Sequence, residues 1–173
     1  MTAVPSHVAP TVKVAVATSQ RVELVDVTDR LGEVAAATGL ADGTLHVWCP
    51  HTSCGLAVTE DEEGLHEDLA AVLDELAPQS RSWSHDDADR RWQNLVPGEG
   101  ANGDSHIRAL LTTTTSLCVP IEAATLGIGR WQRVFVVELD GPRDRLLTVQ
   151  AWGAPTSVDA GVSSTTPRTD LSS

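Results

Sequence analysis

The chain has 173 residues, 41% hydrophobic and 21% charged, enough for one domain with a sizeable core. Its net charge of -12 points away from nucleic acid, whose phosphates demand a basic surface. The lack of a long apolar run argues against a membrane span. Three cysteines (Cys49, Cys54, Cys118) with no CxxC spacing argue against a disulfide framework or a four-cysteine zinc site. They fit a reducing cytoplasm, and the N-terminus MTAVPSHVAPTVK lacks the basic-then-apolar layout of a secretory signal.

Residues 1–11 are expected to be a flexible arm. VKVAVAT (12–18) and RVELVDVT (21–28) alternate like strands, with Val22 and Leu24 on one face and Val25 and Val27 on the other. Thr28 or Asp29 is placed to cap a helix that runs through Ala37 and stops at Gly39. From Gly43 a strand runs on through TLHVWCPHTSCGLAVTE, interrupted or bent near Pro50. In EEGLHEDLAAVLDELAP, Leu65, Leu69, Val72, Leu73 and Leu76 recur at helical spacing, acids crowd the start and Pro78 ends the run.

The segment 79–105 is polar and long for a loop, and long loops often carry function. NGDSHIRALLT predicts a short helix. SLCVPIE, LGIGRWQRVFVVELD and RLLTVQAWG predict strands, the last two joined by the turn signal DGPRD. Residues 154–173 are rich in Ser, Thr and Pro and are expected to be a disordered tail. Late strands joined by turns rather than helices indicate an α+β fold: one domain over 12–153, mostly antiparallel β-sheet layers with two or three helices.

No phosphate-binding glycine motif and no GxSxG are present. Cys54, close after His51 in HTS-C, reads either as a nucleophile or as a small buried sulfur, and packing is the better reading of a cysteine without a positioned base. His51, His85 and His106 occupy three separate elements. Three such rings can converge on a metal and leave a position open, with Asp86 or Asp104 to hold their second nitrogens. The competing reading is ordinary histidines in loops and caps. Glu60, at the far end of the strand after His51, is a candidate proton carrier; the acids that follow it read as helix-start electrostatics. Trp131 and Gln132 could line a pocket or belong to the core.

Together, HTS with its apolar strand and Glu60, HD at 85–86, SHIRALL at 105–111, VPIE, GxWQ at 129–132 and DGPRDR at 140–145 resemble the YjbQ-type family, which carries the description secondary thiamine-phosphate synthase. The resemblance spans about Val12 to Gly153. It implies a compact α+β homotrimer with a metal site, zinc or another divalent metal, on His51, His85 and His106. It places Glu60 and Arg108 in catalytic roles and Arg130, Trp131 and Gln132 against a phosphorylated small-molecule substrate. The implied reaction joins a thiazole phosphate to a pyrimidine pyrophosphate, giving thiamine phosphate. A zinc-dependent hydrolase of a small phosphoester or amide, or a non-enzymatic trimeric metal- or metabolite-binding protein, are the alternatives. Two positions depart from the family pattern: Arg130 replaces a small hydroxyl residue, and Ala124 a glycine.

Overall fold

The computed structural model describes residues 7–156. Its strands are β1 (His7–Val8), β2 (Val12–Ala17), β3 (Glu23–Asp26), β4 (Leu40–Trp48), β5 (Cys54–Thr59), β6 (Ser116–Glu122), β7 (Thr125–Leu126), β8 (Arg133–Glu138) and β9 (Asp144–Pro155). Its helices are α1 (Thr28–Ala37), α2 (Glu63–Leu76) and α3 (Gly103–Thr112), with one 3-10 turn at Ser84–Asp86. Every strand pair is antiparallel. This is the expected α+β architecture of antiparallel layers.

The larger sheet runs β1-β9-β4-β6-β7, with β2 also on β9. The twelve-residue β9 is long enough to pair β2 along its first half and β1 near its end. The smaller sheet is β3-β8-β5. Its central strand explains the layering. In RVFVVE, Val134 and Val136 face the larger sheet and join Val16, Leu45, Leu56, Leu147 and Val149. Phe135 and Val137 point the other way and pack with Leu73 of α2 and Ala109 of α3. The side-chain period of two thus builds one core on each face of β8. Leu31 and Ala35 of α1 join the first core.

Several boundaries differ from expectation. The arm is tethered where it is described, since His7 and Val8 pair with Gly153 and Trp152; residues 1–6 lie outside the described residues. The tail expected from 154 begins inside β9, and residues 157–173 lie outside the described residues. The run LGIGRWQRVFVVELD is not one strand: the chain leaves β7 at Leu126 and turns through 129–132 before β8. Helix α2 buries only Leu73 fully, and Leu65, Val72 and Leu76 stay exposed. Glu62 caps it by accepting from Gly64 N at 2.9 Å and Leu65 N at 2.7 Å, which gives this acid the helix-start role expected of it. No helix of the described residues is long and apolar enough to cross a membrane.

Candidate metal centre

His51 lies in the short loop that carries the chain from β4 in the larger sheet to β5 in the smaller one. The loop is pinned along its length. Cys49 N donates to Thr115 O over 2.8 Å, Leu146 N donates to His51 Nε2 over 3.1 Å, and Arg145 Nη2 donates to Ser53 Oγ over 3.1 Å. Accepting at Nε2 leaves the His51 proton on Nδ1. Burial, and then the nearby Arg145 guanidinium, hold this ring below the ordinary histidine range.

Arg145 is itself buried against Glu138, Nε to Oε2 and Nη2 to Oε1 each at 2.6 Å. Burial alone would raise the Glu138 carboxyl. The bonds from Arg145 and from the backbone N–H of Leu139 and Asp140 outweigh it and hold the group below the usual range. The pair ties the end of β8 to the start of β9 directly beneath the His51 loop.

His106 and His85 are brought together by a single carboxylate. Asp86 Oδ1 accepts from Asn102 N at 3.0 Å and Gly103 N at 2.9 Å, two donors at the start of α3 that no helical carbonyl satisfies. Because His85 precedes Asp86, this contact docks His85 on the first turn of α3, where His106 sits. The ring centroids are 4.6 Å apart. Only glycine fits at 103, where a Cβ would stand 2.6 Å from Trp83 Cβ. His106 Nδ1 lies 3.0 Å from Thr52 O. A carbonyl only accepts, so Nδ1 carries the proton and Nε2 is left as a lone-pair donor. His85 Nε2 is buried without a hydrogen-bond partner.

Glu99 completes the cluster. One donor atom each from His85, Glu99 and His106 lie within 4.8 Å of one another. Arg91 Nη1 holds Glu99 Oε2 at 2.9 Å. Sequence reasoning passed over Glu99; the available signal was an acid seven residues before His106 inside a long loop. His51 is not part of this tight group. It lines, with Thr52, Cys54 and His106, an open cavity of about 470 Å³ beside it.

The other expected site residues are elsewhere. Arg108 is buried and two of its guanidinium nitrogens are engaged: Nε donates to Ala77 O at 2.9 Å and Nη2 to Asp74 Oδ1 at 2.7 Å. It joins α3 to the end of α2 rather than facing a substrate. Asp86 and Asp104 hold no histidine ring; Asp86 caps α3, and Asp104 accepts from Arg21 Nη2 at 2.9 Å. Cys54 is a buried thiol pushed up by its contact with Cys49 and by burial, so the packing reading of this residue stands over the nucleophile.

Glu60, Arg130, Trp131 and Gln132 gather at the opposite end of the smaller sheet. Thr59 pairs with Arg133 there, while Cys54 pairs with Glu138 at the histidine end. The six residues of β5 put roughly 17 Å between the two ends. Trp131 is 62% exposed, with the Arg130 guanidinium 4.6 Å from its ring centre. Gln132 Oε1 accepts from Gly129 N at 2.8 Å and closes the turn.

Residues 12–154 match the family described as "UPF0047 protein YjbQ-like". A UPF0047 protein of Archaeoglobus fulgidus is 36% identical over 134 residues, covering 78% of this chain and 94% of that one. UPF0047 protein YugU of Bacillus subtilis is 28% identical, covering 79% and 94%. Among solved structures, a YbjQ-like protein of unknown function from Sulfolobus solfataricus superposes with a TM-score of 0.74 at 30% identity, over 86% of this chain and 99% of that one. A YjbQ/UPF0047 protein of Clostridium acetobutylicum gives 0.70 at 28% identity, over 81% and 98%.

Proposed function

The chain belongs to the YjbQ-like UPF0047 family, and on that premise we propose that it is a cytoplasmic, zinc-dependent enzyme acting on a small phosphorylated substrate. The reading carried over from the family resemblance is synthesis of thiamine phosphate from a thiazole phosphate and a pyrimidine pyrophosphate. One observation carries the metal part: two histidine rings 4.6 Å apart, one with Nδ1 anchored on Thr52 O and the other with a buried, unpartnered Nε2. Nitrogen donors oriented in this way fit zinc or a similar divalent ion.

His85 and His106 would hold the ion with Glu99 from the loop, and His51, across the shared cavity, would join them only by exchanging the Leu146 N–H on its Nε2 for the metal. Bound there, zinc supplies a Lewis acid for a phosphate or pyrophosphate oxygen. The protein's own part is positioning. Thr52 O fixes the His106 tautomer, Asp86 holds His85 in place, and Arg145 anchors the His51 loop through Ser53.

Proton transfer is assigned to Glu60 and substrate contact to Arg130, Trp131 and Gln132, and these stand at the far end of β5. A homotrimer resolves the distance, with a second copy bringing its Glu60 end to the first copy's histidines. The exposed Trp131, Leu110 and Leu111 support such an apolar interface.

The test pairs metal analysis with turnover. Purified protein should hold zinc and convert the two phosphorylated precursors to thiamine phosphate with release of pyrophosphate. Phosphate release from a panel of simple esters, without condensation, would instead assign the hydrolase. Tightly held metal with no turnover on either would assign a binding protein.

A further inference from the structure

Two sulfur atoms lie side by side where the chain crosses between the sheets. Cys49 follows β4, Cys54 opens β5, and their Sγ atoms are 3.6 Å apart. Both are free thiols, 0% and 1% exposed. Cys54 nonetheless borders the cavity that holds His51 and His106, so a small solute entering there approaches the pair from the Cys54 side. The fold imposes the approach, because Cys49 N is bonded to Thr115 O and β5 is registered on β8 from Cys54 onward. Cys118, exposed on β6, has no sulfur neighbour among the described residues.

We propose that Cys49 and Cys54 form a reversible dithiol–disulfide couple that locks the loop carrying His51. A disulfide bond is about 2.05 Å long, so the sulfurs must close by roughly 1.5 Å as the bond forms. The oxidant class is a small peroxide, and the balance is simple. One sulfur gives an electron pair to the peroxide, the O–O bond breaks, and a sulfenic acid and water result. The second sulfur then attacks the first, its proton leaves with the displaced oxygen as a second water, and the S–S bond forms. Two thiols are oxidised and one peroxide is reduced to two waters.

The bond would close a ring through Pro50, His51, Thr52 and Ser53. Both His51, which accepts from Leu146 N, and Thr52, whose carbonyl fixes His106, belong to that ring. The couple rests on the sulfur geometry and requires no bound metal.

The experiment uses the full chain with Cys118→Ser, treated with a chelator and then with hydrogen peroxide. Alkylation after denaturation, read by intact mass, should label both remaining thiols before oxidation and neither afterwards. The oxidised chain should be lighter by two hydrogens, with no added oxygen, and dithiothreitol should restore both labels. The proton resonances of the His51 ring, assigned with His51→Gln, should move on oxidation and return on reduction. Thiols that remain alkylatable, or oxygen adducts without an S–S bond, would overturn the couple. A disulfide that leaves the His51 resonances unmoved would overturn the lock.

Discussion

His106 donates its Nδ1 proton to the carbonyl oxygen of Thr52 over 3.0 Å, a bond that joins α3 to the loop between the two sheets. It commits the ring to one tautomer and leaves Nε2 as the lone-pair donor of a ring whose centre lies 4.6 Å from that of His85. Histidines held in this way are the usual ligands of structural and catalytic zinc. Replacing His85 or His106 by Ala should weaken zinc binding more than ~100-fold, the upper end of what losing an outer partner alone costs. Both rings are only half-buried, so the fold should survive, and far-UV circular dichroism would check that. Equal zinc content in wild type and in the double variant, by elemental analysis after dialysis, would remove the centre.

Glu99 separates two versions of that centre. If it is a ligand, Glu99→Gln should lower zinc affinity by ~10-fold or more while His51→Gln changes little; if the three histidines hold the ion, the ranking reverses. Competition with a chromogenic chelator gives both constants. The wild-type geometry places Glu99 in the tighter group and His51 across the cavity.

Glu138 and Arg145 should dominate stability near the site. Removing one partner leaves the other charged and buried, which costs about 3–5 kcal/mol. Arg145→Met alone should lower the urea-unfolding free energy by that amount, and Glu138→Leu with Arg145→Met should recover much of it. An Arg145→Met chain as stable as wild type would show the pair to be dispensable.

Stability of the metal-free protein should fall with acid in two stages. His51 is held below its ordinary value of 6.5, so below that pH the unfolded chain binds the extra proton. The contribution of His51 is complete above 6.5 and is lost as pH drops through the folded-state value. Glu138 and Asp26 are also held below their ordinary values of 4.5 and 3.8. Their contributions are present above those values and disappear at lower pH. Urea midpoints measured across this range should decline, and His51→Gln should flatten the upper stage alone. An unchanged upper stage in that variant would place the titration elsewhere.

The legible parts of this molecule are those governed by local periodicity. The alternation in RVELVDVT placed Val22 and Leu24 opposite Val25 and Val27, and the structure packs the two sets against separate cores. What escaped depends on long-range partners. Nothing near Arg108 in sequence announces that its guanidinium goes to Ala77 O and Asp74. Asp86 lay within sight as a histidine partner, but the free N–H groups at the start of α3 compete for its carboxylate and win. The strand expected through GIGRWQ fails because Gln132 folds back to accept from Gly129 N, which a period-two reading cannot foresee. Glu60 and His51, by contrast, were read in the sequence as lying at opposite ends of one strand, and the fold keeps them at the two ends of β5.

That separation yields the most discriminating expectation. Sites shared between identical chains can be rebuilt from two defective ones. Glu60→Gln keeps the histidine end intact, and His106→Ala keeps the Glu60 end intact, so each variant alone should be inactive. Co-expressed in equal amounts, they should form mixed trimers in which a histidine end from one chain meets a Glu60 end from another. With random assortment, about a quarter of the interfaces carry two intact halves, so turnover should return to roughly a quarter of wild type. A site built within one chain could not recover, because every chain in the mixture carries a defect. Sedimentation of the wild-type protein should give the mass of three chains, and Trp131→Ala, at an exposed apolar position, should shift it toward monomer. Full inactivity of a verified mixed trimer would overturn the site shared between chains, whereas a Glu60→Gln chain that turns over like wild type would exclude Glu60 from the chemistry.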